Sequence, residues 1–179
     1  MLLSGAYDLD LSVCDPALTK KNTKVAFEKI LSGTEGNNAA LAAINLEQDG
    51  VVRAWLAALE PDERSRTIAF LGKACKDDVA LQGFFARAHA DLGEQFWEDR
   101  WHRGLSDCRV ESIQNILVEA IQKTNLKEDQ SRFFTVLEVY SRNLGAAAVP
   151  TIAALAKATD DQEHLTYLVN ALADAANVG

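Results

Sequence analysis

Arg109 to Thr124 reads RVESIQNILVEAIQKT, and Val110, Ile113, Ile116, Leu117, Ala120 and Ile121 recur in it at three- and four-residue spacing. That spacing lays one apolar stripe along an α-helix and leaves the opposite face polar. A helix of this kind has to bury its stripe against other elements, so the segment sets the helical period against which its flanks are read.

On the C-terminal side, Asn125 followed by Glu128 has the reciprocal capping arrangement that opens a helix. Phe133, Phe134, Leu137, Tyr140 and Leu144 supply its buried side, and Gly145 stops it. Ala146 to Ala158 is almost all small residues around Pro150, Ile152 and Leu155, which predicts a helix closely sandwiched by its neighbours. Thr159 and Gln162 repeat the capping device before a last helix carrying Leu165, Leu168, Val169 and Leu172.

On the N-terminal side, Leu81, Phe84, Phe85, Ala88, Leu92 and Phe96 keep helical spacing, continued by Trp97 and Trp101 to Gly104, with a bend or break expected at Gly83 or Gly93. Pro61 opens the helix before it, with Asp62 and Glu63 in the first turn, where the helix dipole favours acids, and Ile68, Phe70, Leu71 and Cys75 along one side. Earlier still, Val51 to Leu59, Asn37 to Gln48 and a segment from Asp15-Pro16 to Gly33 read as helices. The fold class expected is all-α, with about eight helices in stacked antiparallel hairpins, as an α-α superhelix or an irregular orthogonal bundle. Residues 15–179 read as a single helical domain.

Residues 1–14 break the period. Tyr7, Leu9, Leu11 and Val13 alternate with Asp8, Asp10 and Ser12, the pattern of a half-buried strand with no second strand in the chain to pair with. An extended N-terminal arm lying on the helices is the preferred reading. The alternative is pairing with the same segment of a second copy, a homodimer, or with a strand of a partner, through Leu9 and Leu11.

There is an internal echo. Leu56-Ala-Ala-Leu59, an acidic turn and then Ile68, Phe70, Leu71 and Ala74 is answered by Ile152-Ala-Ala-Leu155, Asp160-Asp161 and then Leu165, Tyr167, Leu168 and Ala171. These two helical hairpins are similar to divergent HEAT or armadillo repeats, a resemblance that implies a stacked α-solenoid.

Composition narrows the function classes. The 179 residues are 48% hydrophobic, enough for a core, and carry a formal net charge of −8, whereas nucleic-acid backbones and anionic membranes select basic surfaces. Lys20, Lys21, Lys24 and Lys29 are the local basic cluster and read as a solvated helix face, so no nucleic acid is expected as partner. No apolar run reaches membrane-spanning length and no targeting segment is visible, which makes the cytoplasm the expected compartment and excludes membrane insertion. Cys14, Cys75 and Cys108 are odd in number, far apart and outside any CxxC spacing, and are expected as reduced thiols.

Candidate chemistry concentrates in Glu94 to Arg103, EQFWEDRWHR. Glu94, Glu98 and His102 would share a helix face, and Asp99 with His102 has the i, i+3 spacing used in carboxylate-bridged metal bundles. A helical metal-binding protein or small enzyme built on Glu94, Glu98, Asp99 and His102 is therefore the alternative reading. Phe96, Trp97 and Trp101 cannot all face one core from a continuous helix, so either a second helical layer covers them or they form an aromatic patch that anchors a partner. No nucleotide-binding, hydrolase or zinc-protease motif is present and no cofactor is expected. The preferred function is a protein–protein interaction module of adaptor, regulatory or effector type, without catalytic activity of its own, whose partner is another protein.

Overall fold

The structure, a computed structural model, describes residue 31 and residues 36–124 and 128–178. All its regular elements are helical: α1 (Gly36–Asn45), α2 (Asp49–Ala58), α3 (Pro61–Ala74), α4 (Val79–Leu92), α5 (Glu111–Lys123), α6 (Gln130–Leu144), α7 (Val149–Lys157) and α8 (Gln162–Asn177). A single turn, Gln95–Glu98, and three 3-10 segments, Cys75–Asp77, Trp101–Leu105 and Gly145–Ala148, lie between them. The all-α class is thus observed. The alternating segment with Leu9 and Leu11, the Asp15-Pro16 helix start, the lysine cluster, Cys14 and Asn125 lie outside the described residues.

The chain divides into two compact units, residues 1–58 and 59–179. In the first, α1 packs on α2 through Ala39, Ala40, Ala43 and Ile44 against Val51, Val52 and Leu56, all buried. A Cβ added to Gly36 would stand 2.9 Å from Trp55 Cζ2, so the start of α1 rests on that indole.

The second unit holds α3 to α8. Asp78, Asp129 and Asp161 cap α4, α6 and α8, each accepting from backbone N–H groups that the first helical turn leaves without partners. Two of these caps correct the sequence reading. The helix expected from Asn125 and Glu128 starts at Gln130 on Asp129, and the last helix is capped by Asp161 rather than Thr159. Asp129 accepts from the N–H three residues on and Asp161 from those two and three residues on, and each stands directly before its helix.

The α4 helix runs unbroken through Gly83 and ends at Gly93, whose φ of +53° glycine adopts without steric cost. Helix α5 buries Ile113, Leu117 and Ile121 as its stripe requires, and α6 buries Phe133, Val136, Leu137, Val139 and Tyr140 as the central helix of this unit. Helix α7 is not closely sandwiched: of its residues only Ile152 is fully buried, and it packs mainly against α8, with Thr151 accepting a hydrogen bond from Tyr140 of α6 at 3.1 Å. Phe70, expected on the buried stripe of α3, is 36% exposed. Helices α7 and α8 form the second hairpin of the echo, whereas the first is divided between the two units.

One correction concerns the joint between α3 and the 3-10 turn Trp101–Leu105. Cys75 and Cys108 form a disulfide across a Cα separation of 5.1 Å, where free thiols were expected. Their separation of 33 residues hides a proximity that only the docking of the 3-10 turn on the end of α3 creates. Beside the bond, a Cβ on Gly72 would stand 2.7 Å from the Gly104 Cα, and one on Gly104 would run into the Phe85 ring. Backbone therefore meets backbone here with no room for a methyl group. Gly72→Ala is expected to lower unfolding stability by roughly 1 to 3 kcal/mol, the usual cost of overpacking a core, in urea melts of the two proteins. Equal midpoints would show that the joint can open without cost.

Candidate functional site

The aromatic segment is shaped by a break in the helix. Gly93 ends α4, one turn follows, and Arg100 takes a left-handed conformation at φ 63° and ψ 21° before the 3-10 turn begins. That reversal rotates Trp101 back toward the core, so residues that a continuous helix would spread over different faces all enter it. Phe96, Trp97 and Trp101 are 0%, 4% and 3% exposed. They are therefore core residues, and the exposed anchoring patch offered as an alternative does not exist. Phe84 lies 6.0 Å from Trp101, Phe96 stacks on Trp101 at 6.5 Å, and His89 meets Phe96 edge-on at 5.2 Å between ring centres.

Trp97 is the hinge between this core and a cleft. The Arg132 guanidinium of α6 lies 5.1 Å from its ring centre, and the His102 imidazole stacks on it at 5.9 Å with only 12° between planes. Arg132 also pairs with Glu94, which joins the chain after α4 to the start of α6. A charged guanidinium over an indole face is attracted by the ring quadrupole, and the carboxylate holds it there.

The cleft beside these residues has a volume of about 750 Å³. One wall is the 3-10 turn and the irregular link after it, with His102, Arg103, Ser106 and Asp107; the other is α6, with Arg132, Thr135, Glu138 and Arg142. On the far side of α6, between α6 and α8, a smaller groove of about 320 Å³ is lined by Phe134, Leu137, Tyr167, Ala171 and Asp174. Thr135, Glu138 and Arg142 line both depressions. They form a ridge in which Arg142 bonds Glu138 at 2.9 Å and reaches Asp174 at 3.8 Å. The ring of Phe134 stacks on the partly exposed Tyr167 at 4.0 Å, giving the smaller groove an aromatic rim.

The four residues of the metal reading are not brought together. The helix break destroys the common face of Glu94, Glu98 and His102: Glu94 turns to Arg132, Asp99 to Arg64 at 3.6 Å, and His102 is buried. Among the described residues no group of three or more His, Cys, Asp or Glu side chains stands close enough to hold a metal ion. Sequence reasoning missed Arg132 and Asn143 altogether. Asn143 is buried on α6 and donates from Nδ2 to the backbone carbonyls of Leu105 and of Cys108, the latter at 2.9 Å, which fixes the cleft's irregular wall to its helical one. A polar residue in the apolar register of α6, next to Leu144, was the signal available.

No protein-family model matches the chain, and no curated protein and no solved structure matches it significantly.

Two outcomes are expected from this packing. Trp97→Ala and Trp101→Ala should each lower stability by about 3 to 5 kcal/mol in denaturant melts, the cost of emptying a buried aromatic site; a change below roughly 1 kcal/mol would show the ring to be dispensable. Acid should act through His102. Burial, reinforced by Arg103, Arg100 and Arg132 and opposed by the Trp97 carbonyl, pushes its pKa down from 6.5 to about 4. Between those values the unfolded chain binds a proton that the folded chain refuses, so stability is full above pH 6.5 and falls as pH drops toward 4, by on the order of 3 kcal/mol. In His102→Phe, which keeps a flat ring against Trp97, this acid-side loss should shrink relative to the unaltered protein. Parallel pH–stability curves for the two would remove His102 as the cause.

Proposed function

We propose that this chain is a protein–protein interaction module of adaptor, regulatory or effector type, and that its partner is held on the α6 ridge. The observation that supports the reading is the position of Thr135, Glu138 and Arg142, which border a charged cleft on one side and an aromatic-rimmed groove on the other. A ridge between two depressions offers a protein partner contacts of both kinds within one helix: ion pairs and hydrogen bonds with Arg103, Asp107, Glu138 and Arg142, and apolar contact with Phe134 and Tyr167. Opposite charges spaced along one wall favour partners with the complementary order and repel the rest, which is how charge supplies specificity more than raw affinity.

No helix among the described residues is long and apolar enough to cross a membrane. The disulfide supports a reading of the setting in which the interaction takes place. Buried structural disulfides persist in oxidising surroundings and are rare in a reducing cytosol, which weighs against the cytoplasmic expectation and in favour of an oxidising compartment.

The ridge is tested by exchanging its two charges. Glu138→Lys with Arg142→Glu retains an ion pair between residues four apart on an exposed face and inverts what a partner meets, while giving up the Arg142–Asp174 contact. Affinity capture by the unaltered protein and by the exchanged one, compared by quantitative mass spectrometry, should yield a protein held at least roughly tenfold more by the former, the equivalent of about 1.4 kcal/mol. The same capture by both, with direct titration confirming equal affinity, would place the partner elsewhere or abolish the reading.

A further inference from the structure

The wall of the cleft that carries His102, Arg103, Ser106 and Asp107 has little regular structure of its own. It consists of one 3-10 turn of five residues and an irregular link to α5. Backbone hydrogen bonds within it are short-range, from Arg103 N–H to the Arg100 carbonyl and from Cys108 N–H to the Leu105 carbonyl. Besides the burial of Trp101, His102 and Leu105, three longer-range constraints hold it against the helices: the Gly72–Gly104 backbone contact, the two bonds donated by Asn143, and the covalent link from Cys108 to Cys75 at the end of α3. Both cysteines are fully buried. Gln82 of α4 donates to the carbonyls of Cys75 and Lys76, so the other end of the link is itself fixed.

We propose that the Cys75–Cys108 disulfide is the assembly latch of the cleft, setting the 101–108 wall in place so that the binding surface is complete only in the oxidised chain. The proposal rests on the reading of the cleft as a binding surface and concerns how that surface is put together. Without the bond, two separate thiols, each with its own hydrogen, must fit beside a glycine pair that has no slack, and the wall loses its one covalent tie. Reduction therefore loosens residues 101–108, the segment that the bond ties to α3.

The latch closes by thiol–disulfide exchange with a low-molecular-weight disulfide such as oxidised glutathione. The thiolate of one cysteine attacks the donor's sulfur–sulfur bond, expels one glutathione thiolate and forms a mixed disulfide; the second cysteine's thiolate attacks the protein sulfur of that intermediate and expels the other. Two protein thiols are oxidised, the donor disulfide is reduced to two thiols, and the two protons lost by the cysteines are taken up by the departing thiolates. Because both sulfurs are buried, the exchange requires the wall to be open. Closure is accordingly a step of folding, and the finished bond resists reductants outside.

Amide hydrogen exchange on the full chain tests this without any partner, so its failure is distinct from failure of the interaction reading. The protein oxidised with oxidised glutathione is compared with the protein unfolded, reduced and refolded in a phosphine reductant, and with Cys75→Ala/Cys108→Ala, in which no thiols need accommodation. Alkylation after unfolding should find at most one free thiol in the oxidised sample, and three in the reduced one. Amides of residues 101–110 should exchange at least roughly tenfold faster in the reduced chain and in the double variant, while those of α8 keep their rates. Three free thiols after oxidation, equal protection of 101–110 in every form, or a uniform acceleration across α3 to α8 would each overturn the latch.

Discussion

The larger unit depends on the close approach of α3 to the turn after Arg100, where Gly72 and Gly104 bring two backbones together. That contact decides where the chain goes after α4. A helix continued past Gly93 would carry Trp97 and Trp101 away on separate faces. The left-handed residue at Arg100 costs on the order of 1 kcal/mol for a side chain with a Cβ, and the burial of Trp101 and Leu105 offsets it several times over. The tryptophan core, the cleft wall and the disulfide are three consequences of one reversal.

Electrostatics at the cleft derive from the same geometry. His102 is placed where burial and three arginines hold it neutral, flat against Trp97, while Arg132 occupies the same indole from α6. The buried Nδ1 of His102 has no hydrogen-bond partner among the described residues, and neither does Oδ1 of Asn143. A buried polar atom without a partner costs about 1 to 3 kcal/mol, so this wall is held in spite of two such penalties.

The period of the helices was legible from the sequence because burial demands it. Ile113, Leu117 and Ile121 fall where the stripe of α5 puts them, and Pro61 and Gly145 mark boundaries of α3 and α6 through backbone rules that tertiary contacts rarely override. What could not be read were features made by docking. Asp129 and Asp161 are residue types as suited to capping as Asn125 and Thr159, so residue type alone does not select between them. The face shared by Glu94, Glu98 and His102 assumed an unbroken helix, and no local rule predicts that an arginine will adopt a left-handed conformation. The pairing of Cys75 with Cys108 likewise depends on how α3 meets the turn, which spacing alone does not encode.

The cleft and the bond also constrain each other in time. A site whose wall is an irregular segment is usually held either by many hydrogen bonds or by a ligand; here Asn143 provides two bonds and the cysteines one covalent tie. Loop closure over 33 residues restricts the unfolded chain chiefly around α4 and the aromatic core, so the bond favours the very segment that must reverse at Arg100. The thiols can meet only once the reversal has formed, and after they have joined, undoing the reversal means opening a core of four aromatic rings, Phe84, Phe96, Trp97 and Trp101. Oxidation thus follows the reversal at Arg100 and ties the 101–108 wall that faces α6 across the cleft.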